Sequence, residues 1–113
     1  MMTVQELETA VRHHVPIISL VFNNRMYGTI RMHQEIHFPE RVIATDLGDI
    51  DFRTLAQSVG AIGLRVRTAR EFEEALDQAL LEKKVPVVIE IIVDKEWISV
   101  TKTLTDLKKS SIQ

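Results

Sequence analysis

Apolar positions fall into three segments of strand character, separated by stretches with helical spacing. The first, Ile17 to Phe22, is almost uninterrupted and stops at two adjacent asparagines, Asn23 and Asn24. Its length and continuity predict a strand covered on both faces. The second alternates at Leu64 and Val66 and predicts a short strand. The third, "VPVVIEIIV" at 85–93, is the most apolar and reads as the central strand.

The intervening stretches carry helix signals. Thr3 and Glu6 stand in capping-box register, and Val4, Leu7 and Val11 follow on one helical face. This helix is expected to end near His13-His14, because Val15 precedes Pro16 and a residue before proline avoids the helical region. A second helix is expected from Tyr27 to about Gln34. "HFPERVIATDLGDID", residues 37–51, reads as a loop that ends on a helix N-cap at Asp51. Phe52, Leu55, Ala56 and Val59 then mark a helix face, and Gly60 sits where a left-handed residue would close it. Thr68 and Glu71 form another capping box ahead of Phe72, Ala75, Leu76, Ala79 and Leu80. From Asp94 the chain is more polar, with Val100, Leu104 and Leu107 at the spacing of a short amphipathic helix.

Strands separated by helices imply a parallel α/β sheet. The most apolar strand belongs in the middle, so the last strand is expected between the other two. The first strand then keeps an open edge, a liability unless something covers it.

Composition narrows the possible functions. The chain has 113 residues, 45% of them hydrophobic, which suits one globular domain. A formal charge of −2 gives no electrostatic case for nucleic acid or an anionic membrane as partner. Cysteine is absent, which excludes disulfides, thiolate catalysis and thiolate metal sites. No apolar stretch is long enough to cross a bilayer, and "MMTVQELETA" lacks the features of a signal peptide. The expected location is cytoplasmic.

The asparagine pair is the candidate site. Ligands of open parallel sheets bind beyond the carboxyl ends of the strands. An amide oxygen is a hard, neutral ligand suited to Mg2+, which commonly takes few protein groups plus phosphate oxygens. A helix starting near Tyr27 would also aim free N–H groups at a phosphate. A plain polar turn accounts for the same residues, since asparagine tolerates turn geometry.

Beyond this, "MTVQELETAVRHHVPIISLVFNNRMYGTIRMHQE" resembles the cofactor-anchoring half of the thiamine diphosphate motif. "DFRTLAQSVGAIGLRV" and "VPVVIEIIVD" resemble later blocks of the same domain, in the same order. The similarity is to the acetolactate synthase and 2-oxo acid decarboxylase group and covers about residues 2–94. It implies a partial three-layer α/β/α cofactor-binding fold over 1–94, followed by a tail, 95–113. It also implies thiamine diphosphate and Mg2+ as cofactors and a 2-oxo acid as substrate of a parent enzyme; a homo-oligomer is expected separately, because self-association would cover the open edge of the first strand. Asn24 would be a side-chain ligand of Mg2+ and Met26 a backbone-carbonyl ligand. Tyr27, Gly28, Thr29 and Ile30 would pass beside the cofactor, with Gly28 admitting a close backbone approach. Asn23 would hold the loop through hydrogen bonds.

The chain departs from the pattern in places. Arg31 stands where decarboxylases of this group can carry a catalytic glutamate, and His33 where acetolactate synthases typically carry tryptophan. No Gly-Asp-Gly is present to supply the charged Mg2+ ligand, and no catalytic residue is assigned. The expectation is therefore the C-terminal piece of a longer enzyme, inactive by itself. The rival is a non-catalytic, self-associating α/β module. A complete flavodoxin-like domain is disfavoured, because no glycine-rich loop follows the first strand.

Other polar residues read as structural. His13 and His14 point apart on a helix, and His33 and His37 read as a surface pair, with the resemblance offering His33 the substrate side of the cofactor as the alternative. Asp46, Asp49 and Asp51 lack the spacing of a calcium loop. Glu90, inside an apolar strand, requires a hydrogen-bond partner, and Trp97 reads as a packing residue.

Overall fold

The computed structural model describes residues 3–99 and 101–111. Eight elements follow in the order α1 (Glu6–Arg12), β1 (Ile18–Asn23), α2 (Gly28–His37), α3 (Phe52–Ser58), β2 (Ile62–Val66), α4 (Ala69–Leu81), β3 (Val87–Ile92) and α5 (Leu104–Ser111). The strands form one sheet in the order β1-β3-β2. β2 and β3 run parallel, with Ile62 opposite Val87 and Val66 opposite Ile91. β1 is parallel to β3 as well, since Val87 N donates to Ile17 O and Val93 N to Asn23 O in one constant register. The last strand is central, as its apolarity predicts. No helix among the described residues is long and apolar enough to cross a membrane.

Two compact units make up the chain, one within Met1–Phe22 and Asp51–Ile92, the other within Asn23–Ile50 and Val93–Gln113. In the first, side chains of β3 alternate between two cores. Val87 and Ile89 join Val66, Ala75 and Ala79 on the α4 side. Val88 joins Ala56 and Ala61 on the other, where Leu7, Val11 and Val21 also pack. In the second unit α2 packs against α5, and Met26, Leu104 and Leu107 are buried. Val100, expected on the tail helix, lies outside the described residues.

Helix ends follow local chemistry. Thr68 accepts from Glu71 N while the Glu71 carboxylate accepts from Thr68 N, completing the expected capping box. Asp51 caps α3 by accepting from Thr54 N at 2.9 Å. Gly60, at φ 86°, ends α3: its N–H donates to Gln57 O, and Ala61 N donates to Ala56 O. His14 does the same for α1 at φ 55°, with His14 N bonded to Val11 O and Val15 N to Ala10 O. The two histidines are thus a helix terminus.

Two expectations need correcting. Thr3 and Glu6 form no capping box. α1 starts at Glu6 with no side-chain cap, because Glu6, Leu7 and Glu8 N–H groups are satisfied by the carbonyls of Thr3, Val4 and Gln5. A tight lead-in turn leaves the threonine hydroxyl nothing to do. β1 is also not covered on both faces. It is an edge strand, with Leu20 43% and Phe22 67% exposed.

Glu90 is fully buried on β3 and meets its requirement across the sheet. Arg65, its register partner on β2, donates from Nε to Glu90 Oε2 at 2.8 Å and reaches Asp51 Oδ1 with Nη2 at 3.1 Å. Removing one partner of a buried ion pair strands the other charge. Arg65→Met is therefore expected to lower unfolding stability by about 3 kcal/mol, measured by urea denaturation. A loss near zero would show that Glu90 is satisfied without the guanidinium.

The cap carboxylates also tie stability to pH. Asp51 is held below its ordinary value of 3.8, chiefly by the N–H of Thr54, and Glu71 below 4.5, chiefly by the N–H of Arg67. Their contribution is full above those unfolded-state values and is lost as pH falls through the lower folded ones. Thermal midpoints followed by circular dichroism are expected to hold steady above pH 4.5 and to drop below it.

Candidate functional site

β1 hands directly to a turn built by its two terminal amides. Asn23 is buried, accepts from Arg25 N at 3.0 Å through Oδ1, and donates from Nδ2 to Ile50 O at 3.5 Å. Asn24 Oδ1 accepts from Met26 N at 3.2 Å. Each amide thus closes a turn on the residue two ahead, the local bond that suits asparagine to strand ends. Between them Arg25 takes a left-handed conformation at φ 57°, which an L-residue adopts only when its surroundings enforce it. Arg25 is restrained by Asn23 on its N–H, by Leu47 N on its carbonyl, and by Asp49 on its guanidinium.

Met26 pairs with Asp46 in an isolated antiparallel bridge. The bracketing bonds are Tyr27 N to Thr45 O and Leu47 N to Arg25 O, each 2.8 Å. In that pattern the peptide groups of Met26 itself face away from the partner segment. Its N–H goes to Asn24, and its carbonyl lies on the same open side. The sequence reading missed this bridge. A two-residue pairing has no periodicity, so only the buried Thr45, at 1% exposure, hints at it afterwards.

α2 starts at once. Tyr27 is its N-cap and offers no side-chain bond, and the first helical bond is Arg31 N to Tyr27 O. The N–H groups of Gly28, Thr29 and Ile30 are therefore uncapped at the positive end of a ten-residue helix. Tyr27, Thr29 and Ile30 side chains are exposed. Gly28 is packed close: a Cβ there would lie 3.0 Å from Asn24 Nδ2 and 4.0 Å from Ile98 Cδ1. All six expected site residues, Asn24, Met26, Tyr27, Gly28, Thr29 and Ile30, thus fall on one continuous turn and helix start.

Charge near the turn is arranged along α2. Buried Glu35 lies 3.4 Å from both Arg31 Nε and Lys108 Nζ and accepts from Glu40 N. Asp46 contacts Arg31 and Lys95. His33 and His37 stack, with ring centroids 6.2 Å apart, on an exposed face. No cluster of three or more His, Asp or Glu side chains suited to a metal occurs among the described residues. The turn thus fits an anion through the uncapped N–H groups at the start of α2. For a divalent cation it offers one amide oxygen and one carbonyl, half of a site.

The chain belongs to the thiamine pyrophosphate enzyme family, as its C-terminal TPP binding domain, whose model matches residues 1–91. Among relatives it is 32% identical over 95 residues to the acetolactate synthase large subunit of Haemophilus influenzae, covering 83% of this chain. It is 38% identical over 89 residues to the acetolactate synthase of Bacillus subtilis, covering 79% of the chain. The crystal structure of benzoylformate decarboxylase from Polynucleobacter necessarius superposes with a TM-score of 0.76 at 31% identity, over 83% of this chain and 18% of that one. The chain spans 17% and 15% of the two synthases.

Gly28→Ala isolates the packing of the turn. The added methyl meets Asn24 Nδ2 at 3.0 Å, so the amide must move. The expected outcome is a displaced Asn24 side-chain NH2 resonance in an amide correlation spectrum, with the helical signature of α2 kept. An unmoved resonance would mean that Gly28 is not packed on Asn24.

Proposed function

We propose that this chain supplies the diphosphate-anchoring half of a thiamine diphosphate site in an acetolactate synthase-like enzyme acting on 2-oxo acids. The observation that carries the reading is the juxtaposition of the Asn24 amide oxygen, the outward Met26 carbonyl and the uncapped start of α2 on one turn, in a chain of this family. The amide and the carbonyl would hold Mg2+, which bridges to the diphosphate. The N–H groups of Gly28, Thr29 and Ile30 would receive phosphate oxygens. Asn23 stays on the structural side, keeping Arg25 in its strained conformation. The bound cofactor supplies the ylid chemistry, and the share of these residues is binding and orientation.

Residues 1–94 carry this role, and α5 of the following segment supports it by packing against α2. Two neutral oxygens hold Mg2+ poorly, because the ion gives up water reluctantly. The 113-residue chain alone therefore binds the cofactor weakly and turns over no 2-oxo acid.

A titration of the isotope-labelled chain with thiamine diphosphate and Mg2+ tests this directly. Weak, Mg2+-dependent shifts confined to residues 24–30 are expected, and Asn24→Ala should remove the Mg2+ dependence while leaving the fold intact. Shifts elsewhere, or none at millimolar ligand, would overturn the assignment. Consumption of pyruvate by the purified chain would overturn the inactivity.

A further inference from the structure

The segment that returns from α2 is bent against its own preference. Glu40 and Ala44 both hold left-handed backbone, at φ 61° and 55°. Neither is glycine, so each conformation persists only where neighbours enforce it. The enforcing groups come from α2. Glu40 N donates to Glu35 Oε2. The Gln34 side chain bonds both the N–H and the carbonyl of Ile43. Arg31 Nη1 donates to Thr45 Oγ1 at 3.1 Å and lies 3.7 Å from Asp46 Oδ2.

Thr45 is where this restraint reaches the candidate site. It is buried, and both of its oxygens bond to α2. The carbonyl accepts from Tyr27 N, and the hydroxyl accepts from Arg31, about one helical turn further along. The next residue, Asp46, pairs with Met26. The guanidinium of Arg31 is itself held from behind. Fully buried Glu35 lies 3.4 Å from Arg31 Nε and 3.4 Å from Lys108 Nζ of α5.

We infer that Arg31 is a positioning residue for the diphosphate anchor: it holds Thr45 and Asp46 on the start of α2 and so fixes where the Met26 carbonyl and the first N–H groups of α2 lie. This rests on the reading of the turn as that anchor. Arg31 acts through Thr45 and needs no contact with the cofactor. A planar guanidinium suits the task, because Nη1 reaches Thr45 while Nε faces Glu35. A lysine carries one compact ammonium and cannot stand at both places at once. Without the guanidinium the segment is left to its main-chain bonds at Tyr27 and Leu47.

Amide exchange on the full isotope-labelled chain reads the effect without cofactor. The N–H groups of Tyr27 and Leu47 close the bridge, so Arg31→Met should speed their exchange by about ten-fold, while amides of α3 and α4 keep wild-type rates. Thr45→Val removes only the hydroxyl, leaves the Arg31–Glu35 pair in place, and should do the same. In a second arm each protein is mixed with millimolar thiamine diphosphate and Mg2+. The Mg2+-dependent shifts at residues 24–30 of the wild type should be lost in Arg31→Met, Thr45→Val and Arg31→Lys alike. Shifts retained in Arg31→Lys would mean that Arg31 supplies charge rather than position, and would overturn the inference. Wild-type exchange at Tyr27 and Leu47 in both Arg31→Met and Thr45→Val, or unchanged ligand shifts in them, would overturn it too and leave the anchor standing. A wild-type chain with no ligand shift at 24–30 would instead overturn the anchor reading, and the inference with it.

Discussion

A strand that stops in the open must give its trailing backbone groups new partners, and here the strand's own last two side chains provide them. Asn23 takes the N–H of Arg25, and Asn24 takes the N–H of Met26. These two bonds flank a left-handed arginine, whose conformation needs such restraint. Directly after it Met26 pairs with Asp46 and α2 starts without a side-chain cap. The geometry of the turn depends on that pair of bonds. The bonds of Tyr27 N to Thr45 O and Leu47 N to Arg25 O hold the same turn from the other side, and Gly28 packs on the Asn24 amide.

A second constraint works inside the sheet. β3 feeds one core with its odd residues and another with its even ones, which explains its almost unbroken apolarity. Glu90 interrupts that pattern and is tolerated because Arg65 stands opposite on β2 and Asp51 extends the network to the cap of α3. The same arginine thus links the buried carboxylate of Glu90 to the cap of α3.

Much of the fold was legible in the residues. Capping signals at Asp51 and Thr68, the closing glycine at position 60, and the apolar periodicity of α3 and α4 are local chemistry, and each appears where its spacing places it. The failure at Thr3 is equally instructive. A capping box competes with any backbone carbonyl that reaches the same N–H groups, and sequence spacing does not reveal which wins. The pairing of residues 25–27 with 45–47 was invisible for a different reason: it joins segments twenty residues apart through main-chain bonds that carry no side-chain signature. The ionic cluster of Arg31 and Lys108 around buried Glu35 is hidden in the same way, since no spacing in the sequence links Lys108 to α2 until α5 is packed on it.

By itself the sequence determined the order of elements, the central place of the last strand and the motif that marks the family, because hydrophobic period, caps and short-range amide bonds act within a few residues. Only the tertiary structure decided that the apolar first strand is half uncovered, that Glu90 is matched by Arg65, and that the turn after the asparagine pair bridges to Asp46. Those outcomes depend on which surfaces meet. An apolar strand looks the same in sequence whether or not a neighbour arrives to cover it.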